Sequence, residues 1–370
     1  MAIYMVISRF MAIYGYFYGY MKAETLQITP DILSIIAEID EFKGAWRALG
    51  QLAPEQLNSL KRIATIESIG SSTRIEGSQL TDQEVEILLG NLQIQHFSSR
   101  DEEEVVGYAR VMNLIFESYE TISLTENYIR QLHGELLQYS KKDHWHRGIY
   151  KKSPNHVEAF APDGKSLGVV FATSSPFETP LRMHDLLLWA NEVLANKKLH
   201  PILVTGLFIV EFLAIHPFQD GNGRLSRILT TLMLLKAGYV YVPYSSLEAV
   251  IEQSKDVYYL SLRQTQGTIK AGDPNWQPWV MFFLKALQQQ KARLEIKLER
   301  ENILRATLPE LSQQILEIAK SKGRITVREI LLLTKANRHT IKGQIESLTR
   351  ANFLEKNGVG KGSWYSFKNG

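Results

Sequence analysis

One stretch constrains this chain more than any other: His216–Pro217–Phe218–Gln219–Asp220–Gly221–Asn222–Gly223–Arg224–Leu225–Ser226–Arg227. A mostly apolar run, Pro201 to Ile215, leads into it, and a second, Ile228 to Ala237, leads out. Both runs read as buried helices. Between them lies a turn with glycines on either side of Asn222. Such a turn lets successive backbone N–H groups point into one concavity. It also opens a helix whose N-terminal dipole favours an anion. Arg224 and Arg227 lie three apart in the first turn, so both can face one ligand. An N–H nest, two guanidiniums and a helix N-terminus describe a polyphosphate cradle. Asp220 adds a hard oxygen ligand suited to Mg2+. His216, closing the preceding helix, is a candidate base near neutral pH. Singly, these residues have plainer readings: a structural histidine, salt-bridged arginines, an ordinary turn. Their combination at this spacing points to chemistry.

Every fixed position of the pattern HPFx(D/E)GNGRxxR is met from His216 to Arg227, and the segment resembles the signature of Fic proteins. Those proteins transfer AMP from ATP to a hydroxyl side chain of a target protein. The resemblance implies a role for each residue. His216 takes the proton from the target hydroxyl, and Asp220 holds Mg2+. Gly221, Asn222 and Gly223 nest the α- and β-phosphates, and Arg224 and Arg227 clamp the β- and γ-phosphates. Phe218 packs inward and fixes the loop. The phosphate-transferring Doc branch carries Lys where Gly223 stands, so the glycine implies AMP transfer.

Upstream, Ser71–Ser72–Thr73–Arg74–Ile75–Glu76–Gly77 resembles the Fic inhibitory motif (S/T)xxxE(G/N), with Ser72, Glu76 and Gly77 at its fixed positions. By that resemblance Glu76 pairs with Arg227 and occupies the guanidinium meant for the γ-phosphate. Read alone, the segment is a helix-to-loop junction with a solvated glutamate. The resemblance leaves a second activity open, in which Glu76 positions a water that removes AMP from a modified target. Such a protein would be a de-AMPylating or bifunctional enzyme. A helix from Ser254 to Thr265 corresponds to the one beside the nucleoside in Fic proteins. Tyr258 and Tyr259 on it are candidates to stack on adenine, core packing being the plainer reading of either.

Residues 144–157 are β-leaning and then turn-rich, and their place matches the Fic flap, a hairpin that holds the target segment by backbone pairing. No carboxylate cluster accompanies His144 and His146, so they are not read as a metal site. The irregular loop 161–180 is either functional or a strap. Helices are expected over Pro30–Leu49, Pro54–Ser68, Glu84–Asn91 behind a Thr81/Glu84 capping box, Val105–Tyr119 and Thr125–Tyr139. The acidic run Asp101–Glu104 reads as a helix start. Asp273–Pro274 opens a long helix towards Arg305.

The tail has its own pattern: helices over Pro309–Lys320, from Thr326, and over Arg338–Ala351, then a glycine-tipped hairpin before Trp364. That is the order of a winged helix-turn-helix. Residues 305–370 hold 12 Lys/Arg and 5 Asp/Glu, which is +7, whereas the whole chain is only +3, leaving −4 elsewhere. A basic tail makes DNA a candidate partner, with the third helix in the major groove. A protein-interaction or dimerisation wing is the other use of this fold. A nucleotide-sensing DNA-binding regulator is therefore a functional alternative from another class.

The chain has no cysteine, which excludes disulfides, thiolate metal sites and cysteine nucleophiles and suits a reducing cytoplasm. Residues 1–20 are aromatic and apolar but interrupted, and fit neither a membrane span nor a signal peptide. They read as an over-extended start or a disordered extension, with no membrane partner expected. The expected fold is mainly α, a Fic-type helical bundle with a small β-hairpin flap and a C-terminal winged helix-turn-helix. Its divisions are 1–20, an N-terminal helical region 21–100, a catalytic core 101–270, a linking helix 271–305 and the tail 306–370. Expected ligands are ATP and Mg2+. Expected partners are a target protein with a Ser, Thr or Tyr hydroxyl, the chain itself, a second copy in a homodimer, and DNA.

Overall fold

The structure is a computed structural model that describes residues 21–49, 54–90, 97–155, 157–160, 166–171, 173–306, 308–334, 336–350, 353–358 and 360–367. The expectation for residues 1–20 lies outside them. Among the described residues the chain is mainly helical, with fourteen α-helices and two two-stranded sheets. It divides into two units, Met1–Leu49 with Lys61–Lys291, and Gly50–Leu60 with Ala292–Gly370. No described helix is long and apolar enough to cross a membrane.

In chain order α1 (Pro30–Leu49) and α2 (Pro54–Ile75) are followed by α3 (Asp82–Gly90), α4 (Arg100–Ser118) and α5 (Glu126–Leu136). A hairpin of β1 (Val157–Phe160) and β2 (Ser166–Phe171) then precedes α6 (Thr179–Ala195), α7 (Pro201–Ile215) and α8 (Asn222–Lys236). The short α9 (Leu247–Gln253), α10 (Lys255–Lys270) and the long α11 (Gln277–Ala306) complete the order. The α7 run is apolar all round because it is buried all round: every residue from Ile202 to Ile215 is in the core. α8 is nearly as enclosed, with Arg224 and Arg227 among its buried residues. Side chains close the helix starts. Ser99 accepts the Glu102 N–H at α4, Thr125 accepts the Tyr128 N–H at α5, and the Thr81/Glu84 capping box opens α3.

Two elements differ from the sequence reading. α2 runs to Ile75 rather than Ser68, so Ser71–Arg74 are helical. Ser, Ser and Thr are indifferent helix formers, but here tertiary partners decide. Ser71, Ser72 and Thr73 are buried, and the Thr73 hydroxyl returns to the Ile69 and Gly70 carbonyls. Arg74 donates to both Glu252 oxygens, at 2.7 and 3.0 Å, and to Asp82 at 2.9 Å. The hairpin also sits later than expected. The segment before it turns through local bonds, His146 N–H to Asp143 O and Ile149 N–H to His146 O. Backbone groups satisfied in turns are not free for a ladder. The antiparallel strands pair Val157 with Phe171 and Phe160 with Ser166, with two register irregularities between.

In the second unit α12 (Glu310–Lys322), α13 (Val327–Thr334) and α14 (Arg338–Arg350) precede an antiparallel pair, β3 (Leu354–Asn357) and β4 (Trp364–Phe367). Ile315, Ala319, Ile325, Ile330, Ile341, Ile345, Leu348 and Leu354 form its core. Ile325 makes a further bridge with Tyr365. α14 is amphipathic: Ile341, Ile345 and Leu348 face inward while Arg338, Lys342 and Arg350 are exposed.

Candidate active site

The loop between α7 and α8 is shaped by its first residue. His216 ends α7 with φ 52° and ψ 61°, a left-handed conformation that costs a non-glycine residue about 1–2 kcal/mol. Its surroundings hold it there. The Lys151 N–H donates to Pro217 O at 2.8 Å, and Asn155 Nδ2 donates to Phe218 O at 2.6 Å. Asn222 closes the loop on itself, accepting the Phe218 N–H at 2.9 Å and donating to Phe218 O at 2.7 Å. Phe218 is fully buried, stacked on the His133 ring at 3.8 Å between centroids and 9° between planes. His133 Nε2 lies 2.9 Å from Asp220 O, while Nδ1 accepts the Gly148 N–H at 2.9 Å. The proton of this imidazole is therefore on Nε2.

Gly221 takes φ 80°, and the first helical bond of α8 runs from Leu225 N–H to Gly221 O. The amides of Asn222, Gly223 and Arg224 form the open first turn, pointing out of the helix N-terminus. Arg224, 2% exposed, lies 3.0 Å from Glu104 and 3.4 Å from Asp220, and its buried Nε has no acceptor among the described residues. Asp220 is more open, its side chain 36% exposed, and accepts Arg100 Nη2 at 2.8 Å and the Gly221 N–H at 2.7 Å. Burial opposes its charge, but Arg224, the Gly221 amide and Arg100 outweigh that and hold the carboxyl below its ordinary range. Among the described residues no cluster of three or more His, Asp or Glu side chains could hold a metal ion by itself.

Arg227 is buried one turn further on. Its Nε donates to Ser72 Oγ at 2.8 Å, and Nη2 donates to Ser72 O at 2.9 Å and to Glu76 Oε1 at 2.8 Å. Glu76 lies just past α2, and its carboxylate covers Gly223 so closely that a β-carbon there would collide with it. Gly77 follows with φ 109°. Behind Arg227 the Tyr108 hydroxyl donates to the buried Glu248 at 3.0 Å. Tyr258 is buried against Arg227 and Ser226 and packs on Trp279 and Phe282. Tyr259, its neighbour, is 37% exposed and lies within the field of Glu76 and Arg227.

The His216 imidazole has Nδ1 3.4 Å from Leu213 O. Burial, then the positive charge of Lys151, push its pKa down to about 4, against the weaker pull of Leu213 O, Glu76 and Asp220. The ring is neutral at physiological pH.

Thus the loop residues, Ser72 and Glu76 gather in one place, with Tyr258 behind Arg227. The sequence reading missed His133, Lys151, Asn155, Arg100 and Glu104, which hold this loop. Only Glu104 carried a signal, as part of the acidic run. Its neighbours in space, Arg224 and Arg100, are what that run serves beyond the helix dipole.

Residues 123–234 match the model of the Fic/DOC family. The chain is 25% identical over 318 residues to the protein adenylyltransferase Fic of Drosophila virilis, covering 80% of this chain and 60% of that one. It therefore spans less than two thirds of that relative's length. A Fic family protein from Desulfovibrio desulfuricans G20 has a similar fold, with a TM-score of 0.59, 24% identity, and coverage of 92% of this chain and 97% of that one. So does a Fic domain-containing signalling protein from Bacteroides thetaiotaomicron, with a TM-score of 0.57, 26% identity, and coverage of 69% and 94%. The matched segment contains α5, the hairpin and the α7–α8 loop that carry the site, so it is this part of the chain that is similar to the Fic/DOC family.

Proposed function

We propose that this protein is an adenylyltransferase that moves AMP from ATP to a hydroxyl of a target protein, restrained by Glu76. The observation that carries the reading is the α7–α8 turn: a neutral imidazole, three open amides and two buried guanidiniums on one loop. The likeness to a curated protein adenylyltransferase supports it.

In this mechanism most of the catalysis is placement. The amides of Asn222, Gly223 and Arg224 and the Arg224 guanidinium, with its unpartnered Nε, hold the phosphates. The hairpin offers backbone to the target segment. His216, its Nδ1–H towards Leu213 O, presents the Nε2 lone pair to the target hydroxyl. The hydroxyl oxygen bonds to the α-phosphorus, its proton passes to His216, and the bond to the β-phosphate bridging oxygen breaks to release pyrophosphate. Asp220, ionised and partly exposed, is the carboxylate that would hold Mg2+. The ion supplies charge neutralisation on the phosphates when bound. Glu76 competes with the γ-phosphate for Arg227.

ATP labelled on the α-phosphate tests this with wild type, Glu76→Gly, and Glu76→Gly/His216→Ala. Protein-bound label is expected to rise with the first substitution and vanish with the second. Transfer retained without His216 overturns the mechanism, and unchanged transfer in Glu76→Gly overturns the restraint.

Glu76 also supports a second activity, hydrolysis of AMP from a modified hydroxyl to give AMP and the free hydroxyl, because its partly exposed carboxylate stands over the open turn, where it could orient a water. Release of AMP from a pre-modified target, requiring Glu76, is the test. For the second unit we propose a winged helix-turn-helix that places α14, with exposed Arg338, Lys342 and Arg350, against DNA.

A further inference from the structure

Lys151 is a buried cation whose ammonium, among the described residues, is bonded to neutral acceptors. The residue is 3% exposed, and its ammonium donates to Asn155 Oδ1 at 2.7 Å, Thr173 Oγ1 at 2.9 Å and Ile215 O at 3.0 Å. These acceptors come from three places. Asn155 lies two residues before β1, Thr173 two residues after β2, and Ile215 is the last residue of α7. The two feet of the hairpin are joined directly as well, Thr173 Oγ1 donating to Asn155 O at 2.6 Å. Asn155 spends its own amide on the catalytic loop at Phe218 O, and the Lys151 N–H meets Pro217 O. One ammonium is thus bonded to both ends of the hairpin and to the carbonyl immediately before His216.

Stability alone does not call for this arrangement. Burying a cation among neutral acceptors is costly, and an apolar side chain of similar length often serves a core better. In return the ammonium has the Ile215 carbonyl, at a helix C-terminus, and the charge of Glu178, which is not in contact. What the ammonium does offer is a fixed three-way geometry between elements far apart in sequence.

Resting on the adenylyl-transfer reading, we propose that Lys151 is a positioning residue: its ammonium clasps both feet of the hairpin to the end of α7 and so sets the target-bearing strand relative to His216. The same charge acts on the imidazole, together with Glu76 beyond α2 and Asp220 in the loop. Burial brings the Lys151 pKa down to about 8, so the clasp is charged at neutral pH.

The test uses the full chain in the Glu76→Gly background, with Lys151→Met, which keeps length without charge, and Lys151→Arg, which keeps charge. ATP affinity, transfer rate and the NMR titration of His216, assigned with His216→Gln, are measured on each. Lys151→Met is expected to leave ATP affinity within about twofold while transfer falls on the order of 10–100-fold. Lys151→Arg is expected to recover most of that loss, and the His216 midpoint to move up in Lys151→Met. Equal transfer rates in Lys151→Met, Lys151→Arg and their parent overturn the proposal. If the Glu76→Gly parent itself transfers nothing, adenylyl transfer has failed as a reading, and the His216 titration still decides Lys151. An unmoved midpoint in Lys151→Met then overturns it. If Lys151→Met does not fold, Thr173→Val removes one acceptor and keeps the cation. A partial loss of rate supports the clasp, and an unchanged rate overturns it.

Discussion

Glu76 and Gly223 share one space at the start of α8: a β-carbon on residue 223 would overlap Glu76 Oε1 and lie 2.9 Å from Glu76 Cδ. The carboxylate reaches Arg227 only because residue 223 has no side chain. Gly223→Ala is therefore expected to expel the end of a flexible glutamate rather than disturb the helix. Losing the pair costs about 1–3 kcal/mol, because Arg227 stays buried. In a Glu76→Gly background the same alanine costs less. Urea unfolding of the double-mutant cycle measures the coupling, expected at about 1 kcal/mol or more. Additive effects would mean that the two residues do not compete for space.

The end of α2 is held from the side by Arg74, through Glu252 and Asp82. Arg74→Ala loosens the platform that carries Glu76 without removing its carboxylate. AMP transfer is expected to rise severalfold, to a level below that of Glu76→Gly. A rate equal to wild type would separate Arg74 from the restraint.

Acid should unfold this domain early. His133 is held down to about 4 mainly by burial, and His216 likewise, whereas the ordinary value is 6.5. Below pH 6.5 the unfolded chain takes up protons that the folded chain refuses until about pH 4. Stability present above 6.5 is therefore lost as pH falls across that window, on the order of 3 kcal/mol for the fully buried His133 alone. Urea midpoints at about pH 7 and about pH 5 measure the loss. His133→Gln, which keeps a donor and an acceptor but does not titrate there, should flatten the dependence.

For the second unit, fluorescence anisotropy with duplex DNA is the measurement. Binding is expected to weaken as salt rises, and Arg338→Ala/Lys342→Ala to reduce the salt slope by about one per lost phosphate contact. Binding that ignores salt would argue for a protein partner instead.

The parts of this molecule written as local pattern were legible beforehand. α7 and α8 announce themselves as apolar runs around a polar turn, and the Thr81/Glu84 box and Thr326 mark helix starts where the structure has them. The end of α2 was not legible, because Arg74 and buried serines override a weak local preference through residues more than 100 positions away. The hairpin was misplaced because a β-leaning stretch spends its backbone bonds in turns. His133 and Lys151 carried no signal at all. Their work is done on Phe218, Asp220 and Ile215, and no periodicity links residues so distant in the chain.

The ion pair of Arg100 with Asp220 changes how the first encounter with a metal-bound nucleotide should be pictured. The carboxylate does not wait as a bare negative charge. It is already balanced by the guanidiniums of Arg100 and Arg224, so a divalent ion bound there would replace one cation with another. Under the proposed function, loading the site would be a swap, and Arg100, still held by Glu104 at 2.7 Å, would stay beside the turn as a cation for the anion that comes in with the metal.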